Sequence, residues 1–227
     1  MTLLFSATFL NLNLASGALM VSLTQLALFA VASTLLIFTP GPDIIYVMTR
    51  GVAQGRKAAL AAAAGFALGN FAHTFFAIVG LSALITSSAT AFACVKYAGA
   101  AYLMYIGYRM LRSRAALVPE GAAGELQCRV IFRQSILANI MNPKVALFFL
   151  AFFPQFVDRA RGGIPLQMLI LGSIFVLLTM LGFGVVALLS GEIGRWLNRS
   201  AGAGNLIGQV AGCILIGLGL RLAWPER

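Results

Sequence analysis

The chain has 227 residues, 60% of them hydrophobic and only 10% charged, with a mean hydropathy of +0.94. Soluble domains carry about 25% charged residues, so this composition excludes a soluble enzyme and indicates a polytopic membrane protein of one domain. The net charge of +10 does not signal nucleic acid, because the basic residues are scattered at the ends of apolar runs, where membrane topology accounts for them.

Residues 1–19 carry no charged side chain. The basic n-region of a signal peptide is absent, and Met20 opens "MVSLTQLALFAVASTLL", a natural start for a first membrane helix. The expectation is an N-terminal extension over 1–19, either a mis-called start or a dispensable piece, ahead of a single membrane domain over 20–227. Six apolar runs follow, at 23–48, 58–84, 89–110, 131–157, 165–189 and 204–223, each reaching the roughly 20 residues that a spanning helix needs. They lack the period-2 alternation of a membrane barrel, so the fold class expected is all-α with six transmembrane helices.

The first run is interrupted by "FTPGPDIIYVMTR", residues 38–50, which puts Pro40, Gly41, Pro42 and Asp43 inside apolar sequence. Lipid tolerates unwound backbone only where protein or a water-filled cavity satisfies the freed groups. An intramembrane carboxylate is a functional-site candidate by default. The second run contains "GFALGNFAHTFF", in which Gly65 and Gly69 form a small-residue face for close helix contact. Asn70 and His73 lie beside that face. His73 reads either as a neutral core residue bonded to a carbonyl or as a proton relay. Tyr97, Tyr102, Tyr105 and Tyr108 of the third run read as interfacial anchors or packing.

The segment 113–130 is rich in Pro, Gly and Glu and divides the chain into halves 20–112 and 131–227. Three helices per half put the halves in opposite orientations, which predicts inverted repeats. A shift of 112 residues matches Leu103, Gly107 and Arg109 with Leu215, Gly219 and Arg221, and carries Pro42 onto Pro154. The fourth run contains "NIMNPK", residues 139–144, where Pro143 breaks the helix. Asn139 and Asn142 there read either as caps of the break or as ligand contacts.

Ten of the Lys and Arg residues fall on one side of this topology, five on the other, and Lys144 lies within the membrane. The positive-inside rule then gives N-out and C-out. At 1.5 Å per residue, Asp43 lies about 10 Å and Lys144 about 16 Å from the cytoplasmic edge. Opposite charges at similar depth suggest a pair or a shared aqueous cavity. Cys94, Cys128 and Cys213 have no C-x-x-C spacing and read as small packing residues rather than a disulfide framework or a zinc site.

Four motifs together, "TPGPD", "GFALGN", "VKYAGAAYLMYIG" and "NIMNPKVALFFLAFFPQF", resemble the LysE/RhtB superfamily of lysine and homoserine/threonine exporters over approximately residues 20–222. The resemblance implies a multi-pass protein of the bacterial cytoplasmic membrane that exports amino acids or close derivatives by proton antiport. Pro40, Gly41, Pro42 and Asp43 match the first motif; Asn139, Asn142, Pro143, Lys144, Pro154 and Gln155 match the fourth. A zwitterionic substrate needs an anion for its ammonium, for which Asp43 is the candidate and also the proton site. It needs donors for its carboxylate, for which Lys144, Asn139 and Asn142 are candidates. With few acidic residues, neutral amino acids are favoured over lysine. No enzyme activity, cofactor, metal or nucleic acid is expected; the partners are the amino acid, the proton and the bilayer, and a homodimer stays open. The competing reading is a metal-cation or other small-solute exporter on the same fold, which would want more carboxylate, His or thiolate ligands.

Overall fold

The apolar runs fold as helices in the computed structural model, which describes residues 21–87, 89–112, 126–199 and 201–224. The extension at 1–19 and residues 113–125 of the linker expected at 113–130 lie outside the described residues, while its last three residues begin the helix Cys128–Ile140. Among the described residues every regular element is helical. The first run is two helices, α1 (Leu23–Phe38) and α2 (Pro42–Gln54), bent by 56° at the Thr39–Gly41 break. Ser22 and Gln25 cap the start of α1 reciprocally, and Pro42, which lacks an amide proton, occupies the first turn of α2, where that proton has no helical partner. The second and third runs are α3 (Arg56–Ser87) and α4 (Ala89–Arg112).

The fourth run is also two pieces. α5 (Cys128–Ile140) ends before Asn142, and α6 (Pro143–Leu147) continues as a π turn at Phe148–Phe152 and a 3-10 turn at Phe153–Phe156, at 45° to α5. The widened and then tightened winding turns Phe148, Phe149, Ala151, Phe152 and Phe153 all inward. The fifth and sixth runs are α7 (Ile164–Arg199) and α8 (Ala201–Ala223). By length and hydropathy, α3 and α7 can each cross a bilayer, and each bent pair passes when taken as one span.

Contacts fix the relative directions of the helices. Gly65 and Gly69 of α3 lie against Ser135 and Asn139 of α5, so these two run parallel. Asn70 meets Thr179 while Thr74 meets Gly172, so α3 and α7 are antiparallel. Phe29 meets Phe175 and Ile37 meets Gly182, so α1 and α7 are parallel. A Cβ on Gly107 would stand 2.6 Å from the Gly212 carbonyl oxygen and 2.8 Å from Ile216; one on Gly219 would stand 2.8 Å from the Ala100 carbonyl oxygen and 2.7 Å from Met104. The antiparallel α4 and α8 therefore meet backbone to backbone, where only glycine fits. Ala100, Met104 and Gly107 stand 112 positions before Gly212, Ile216 and Gly219, so the interface is reciprocal in the register of the sequence shift.

That register does not extend to the breaks. Pro42 and Pro143 each open the second piece of a bent pair, whereas Pro154 lies within the 3-10 turn. The structural counterpart of Gly41-Pro42-Asp43 is Asn142-Pro143-Lys144. The outer surface is apolar, with Phe75, Phe76, Leu177 and Leu181 exposed, as a surface facing lipid requires. The three cysteines, expected as packing residues, are exposed; sulfur is apolar enough to face lipid, so burial is not needed to accommodate it.

Candidate functional site

Both helix breaks lead to one place. Asp43 sits in the first turn of α2 and Lys144 in the first turn of α6, and each is 3% exposed. Their side chains form an ion pair, with Lys144 Nζ 3.0 Å from Asp43 Oδ2 and 3.1 Å from Oδ1. The ammonium also donates to the Thr39 carbonyl at 3.1 Å and reaches the Leu36 carbonyl at 3.5 Å. The Thr39 carbonyl is available because the helix stops there and C=O groups at its end lack intrahelical amide partners; the Leu36 carbonyl is shared with the Thr39 amide, which donates to it at 3.2 Å. The α1 terminus thus presents the negative end of its dipole to a cation, and the α2 N-terminus presents its positive end to Asp43. Gly41 makes the approach feasible: a Cβ there would lie 2.8 Å from Asp43 Oδ1 and 2.9 Å from Lys144 Nζ.

Amide side chains surround the pair. Asn142 caps α6 by accepting from the Lys144 amide at 3.0 Å, which leaves its Nδ2 buried without a partner. Asn70 donates through Nδ2 to Thr179 Oγ1 at 3.1 Å, while Thr179 gives its own proton to the Phe175 carbonyl. That chain of donors fixes the Asn70 amide so that Oδ1 is the unpartnered atom. Asn139 Oδ1 is likewise buried and unpartnered, and Gly69 leaves the space it fills. One free donor and two free acceptors therefore accompany the ion pair. Buried polar atoms are normally satisfied, so these three amide atoms retain hydrogen-bonding capacity beside the charge pair.

The cavity between them is small. It is lined by Asp43, Asn70, Asn139, Lys144 and Thr179 with Leu36, Ile37, Val145, Phe175 and Phe183, and its volume is ≈ 10 Å³, room for at most one water. The site is closed on two sides by aromatic rings. Toward the start of α1, Phe29 packs on Phe148, Phe153, Phe156 and Phe175. Toward the far end of α2, Tyr46, Phe66 and Phe183 form a thinner barrier, with ring centroids 5.8 and 6.0 Å apart.

Of the residues that the sequence singled out, Asp43, Lys144, Asn70 and Asn139 line this cavity, while Asn142 is outside the lining and caps α6 by accepting from the Lys144 amide. His73 does not line it. Its Nε2 lies 2.9 Å from the Asn139 carbonyl and its ring stacks on Phe149; a carbonyl only accepts, so Nε2 carries a proton and His73 braces the end of α5. Pro40 lies in the first break, where no helical amide is demanded of it. Thr179 is the polar residue that the sequence reading missed. Elsewhere, Tyr97, Tyr105 and Tyr108 are exposed, and Arg109 and Arg112 stack over Tyr105 and Tyr108. Among the described residues no group of three His, Cys, Asp or Glu side chains could hold a metal ion.

Comparison with known proteins places this geometry in context. A family model described as LysE type translocator matches residues 34–225. The chain is 34% identical over 185 residues to an uncharacterized membrane protein of Vibrio cholerae, covering 81% of this chain and 89% of that protein. It is 33% identical to a homoserine/homoserine lactone efflux protein of Salmonella typhimurium, over 75% of this chain and 82% of that one. It is 28% identical to a leucine efflux protein of an Enterobacter species, over 86% and 93% respectively. No solved structure matches the chain.

Proposed function

Because the chain belongs to the LysE type translocator family and is therefore a membrane transporter, not an enzyme, we propose that it exports amino acids from the bacterial cytoplasm by proton antiport. The observation that carries the reading is the buried Asp43–Lys144 pair at the junction of two broken helices, ringed by three unpartnered amide atoms. An amino acid presents one cation, one anion and several hydrogen-bonding groups, and the site offers a carboxylate for the ammonium and the Asn142 amide for the carboxylate. The absence of a second carboxylate from the lining favours neutral side chains over a lysine side chain, in keeping with relatives named for leucine and homoserine efflux.

The working arrangement is six spans in two inverted halves, N-out and C-out, in the cytoplasmic membrane. Three observations support it: the directions of α1, α3, α5 and α7 alternate as six spans require, the antiparallel α4–α8 interface is reciprocal, and the two bent pairs meet at their breaks. Rocking of one half against the other opens the site alternately, to the cytoplasm past Tyr46, Phe66 and Phe183 and to the exterior past the larger phenylalanine cluster. The competing metal-exporter reading finds no support in the lining, which holds one carboxylate.

Growth tests the assignment. Cells expressing the protein should tolerate toxic analogues of neutral amino acids better than cells with an empty vector, with little protection against lysine analogues. Failure to protect against any amino acid or analogue in a broad panel, with the protein present in the membrane, would remove the reading.

A further inference from the structure

We propose that the chain holds a second amino-acid site, an exit station on the far side of the phenylalanine cluster from the Asp43–Lys144 cavity, where Arg221, Gln25 and Gln155 hold the zwitterion as it leaves. The inference rests on the exporter reading and its N-out orientation. It gives a role to Gln155, which the fourth motif contains but the central cavity does not use.

A pocket of ≈ 540 Å³ opens between the start of α1, the 3-10 turn at Phe153–Phe156 and the end of α8. That volume falls within the roughly 300–1,000 Å³ of small-molecule sites, whereas the central cavity has ≈ 10 Å³. The apolar walls are Leu28, Phe156, Leu220 and Trp224. Phe156 also packs on Phe29, with ring centroids 5.2 Å apart, so one ring belongs both to the pocket wall and to the barrier over the central cavity. A substrate that passes this barrier enters the pocket next.

The polar lining matches an amino acid at both of its charged ends. Arg221 brings a guanidinium, whose planar fork suits a carboxylate. Gln25 accepts from the Ser22 amide through Oε1 at 3.0 Å, which leaves its Nε2 protons for the same anion. Gln155 offers the opposite group: its Nε2 reaches the Ala151 carbonyl at 3.4 Å, so Oε1 is left to accept from an ammonium. Lys96 adds positive charge beside the pocket by donating to the Trp224 carbonyl at 3.3 Å, and among the described residues no acidic side chain lines it. The walls of Leu28, Leu220 and Trp224 suit an apolar side chain. The Phe156 ring shared with the barrier puts the pocket on the transport path, which favours the amino acid over a lipid headgroup as its occupant.

Protection from labelling decides it. Purified full-length protein with Cys94, Cys128 and Cys213 replaced and Leu28→Cys added is placed in phosphatidylcholine liposomes, and an impermeant maleimide is supplied with increasing leucine or homoserine. Both amino acids should slow the labelling. Protection should persist when Asp43→Asn or Gly41→Ala disables the central cavity. Arg221→Gln should raise the half-protecting concentration about tenfold, the effect of losing one charged hydrogen-bond partner, and Arg221→Lys should restore part of it. Absence of protection, protection that disappears with the central-cavity variants, or protection indifferent to Arg221→Gln would overturn the proposal. Labelling that is slowed by adding phosphatidylethanolamine or phosphatidylglycerol and unaffected by amino acids would also overturn it and give the pocket to lipid. Efflux of labelled leucine and homoserine from the same liposomes reports the exporter reading separately: efflux without protection defeats the second site alone, and no efflux of any amino acid defeats the exporter reading itself.

Discussion

Gly41 has no side chain, and the ion pair occupies the space that one would need. Gly41→Ala would push a methyl group to within 2.9 Å of both charged side chains, forcing them apart in a region with little room to yield. The variant is expected to reach the membrane and to lose at least about nine-tenths of efflux, by the sensitivity of transport sites to displacements of about 1 Å; a transport assay normalised to membrane-inserted protein checks it. Removing one partner of a buried ion pair costs about 3 to 5 kcal/mol, because the other charge is left uncompensated. Asp43→Asn should accordingly lower the thermal midpoint more than Asp43→Asn combined with Lys144→Met, as read in a detergent melting series. Asp43, Lys144 and the three asparagines were legible in the sequence, since charges and amides inside apolar runs need a reason. Thr179 was not, because a threonine in a membrane helix can satisfy itself on the carbonyl four residues back, as it does with Phe175. What recruits it to the site is Asn70 on the facing helix, a contact that no local pattern announces.

At the level of elements, proline told where two helices stop but not that their broken ends meet. Pro42 and Pro143 lack amide protons, so each marks a boundary in sequence. The angle at each break and the use of α1 carbonyls by Lys144 depend on helices that are distant along the chain. The shift of 112 residues was visible in one helix pair because that interface is built on glycines at fixed positions. It misplaced the break, pairing Pro42 with Pro154 instead of Pro143, because the segments between break and interface differ in length in the two halves. The π turn at Phe148–Phe152 left no signal either, since a phenylalanine run is apolar in any winding. The α4–α8 contact yields a test. Gly107→Leu cannot fit within 2.6 Å of the Gly212 carbonyl, and overpacking of this kind costs about 1 to 3 kcal/mol, so the variant should melt earlier than wild type. Gly217→Leu, which meets open space, should not.

For the whole molecule, composition and apolar periodicity were sufficient to read an all-helical membrane protein, and the order of basic residues gave an orientation. The orientation proposed for the six spans can be tested by labelling. In a background with Cys94, Cys128 and Cys213 replaced, Ala53→Cys lies in the last turn of α2 and Ala160→Cys between α6 and α7, on opposite ends of the bundle. An impermeant maleimide added to intact cells should label Ala160→Cys and spare Ala53→Cys; the reverse would invert the topology. The cavity is flanked by aromatic rings on both sides, and these are the two barriers that the proposed rocking of the halves would open.

The most direct test of the account is gradient-driven efflux from liposomes loaded with labelled leucine or homoserine. Wild-type protein should release either amino acid faster when the external medium is acidified, and Asp43→Asn, confirmed as folded and inserted, should release it no faster than protein-free liposomes. Full, gradient-dependent efflux by Asp43→Asn would contradict the account, because the buried carboxylate would then be neither the seat of the ammonium nor the partner of the coupling proton.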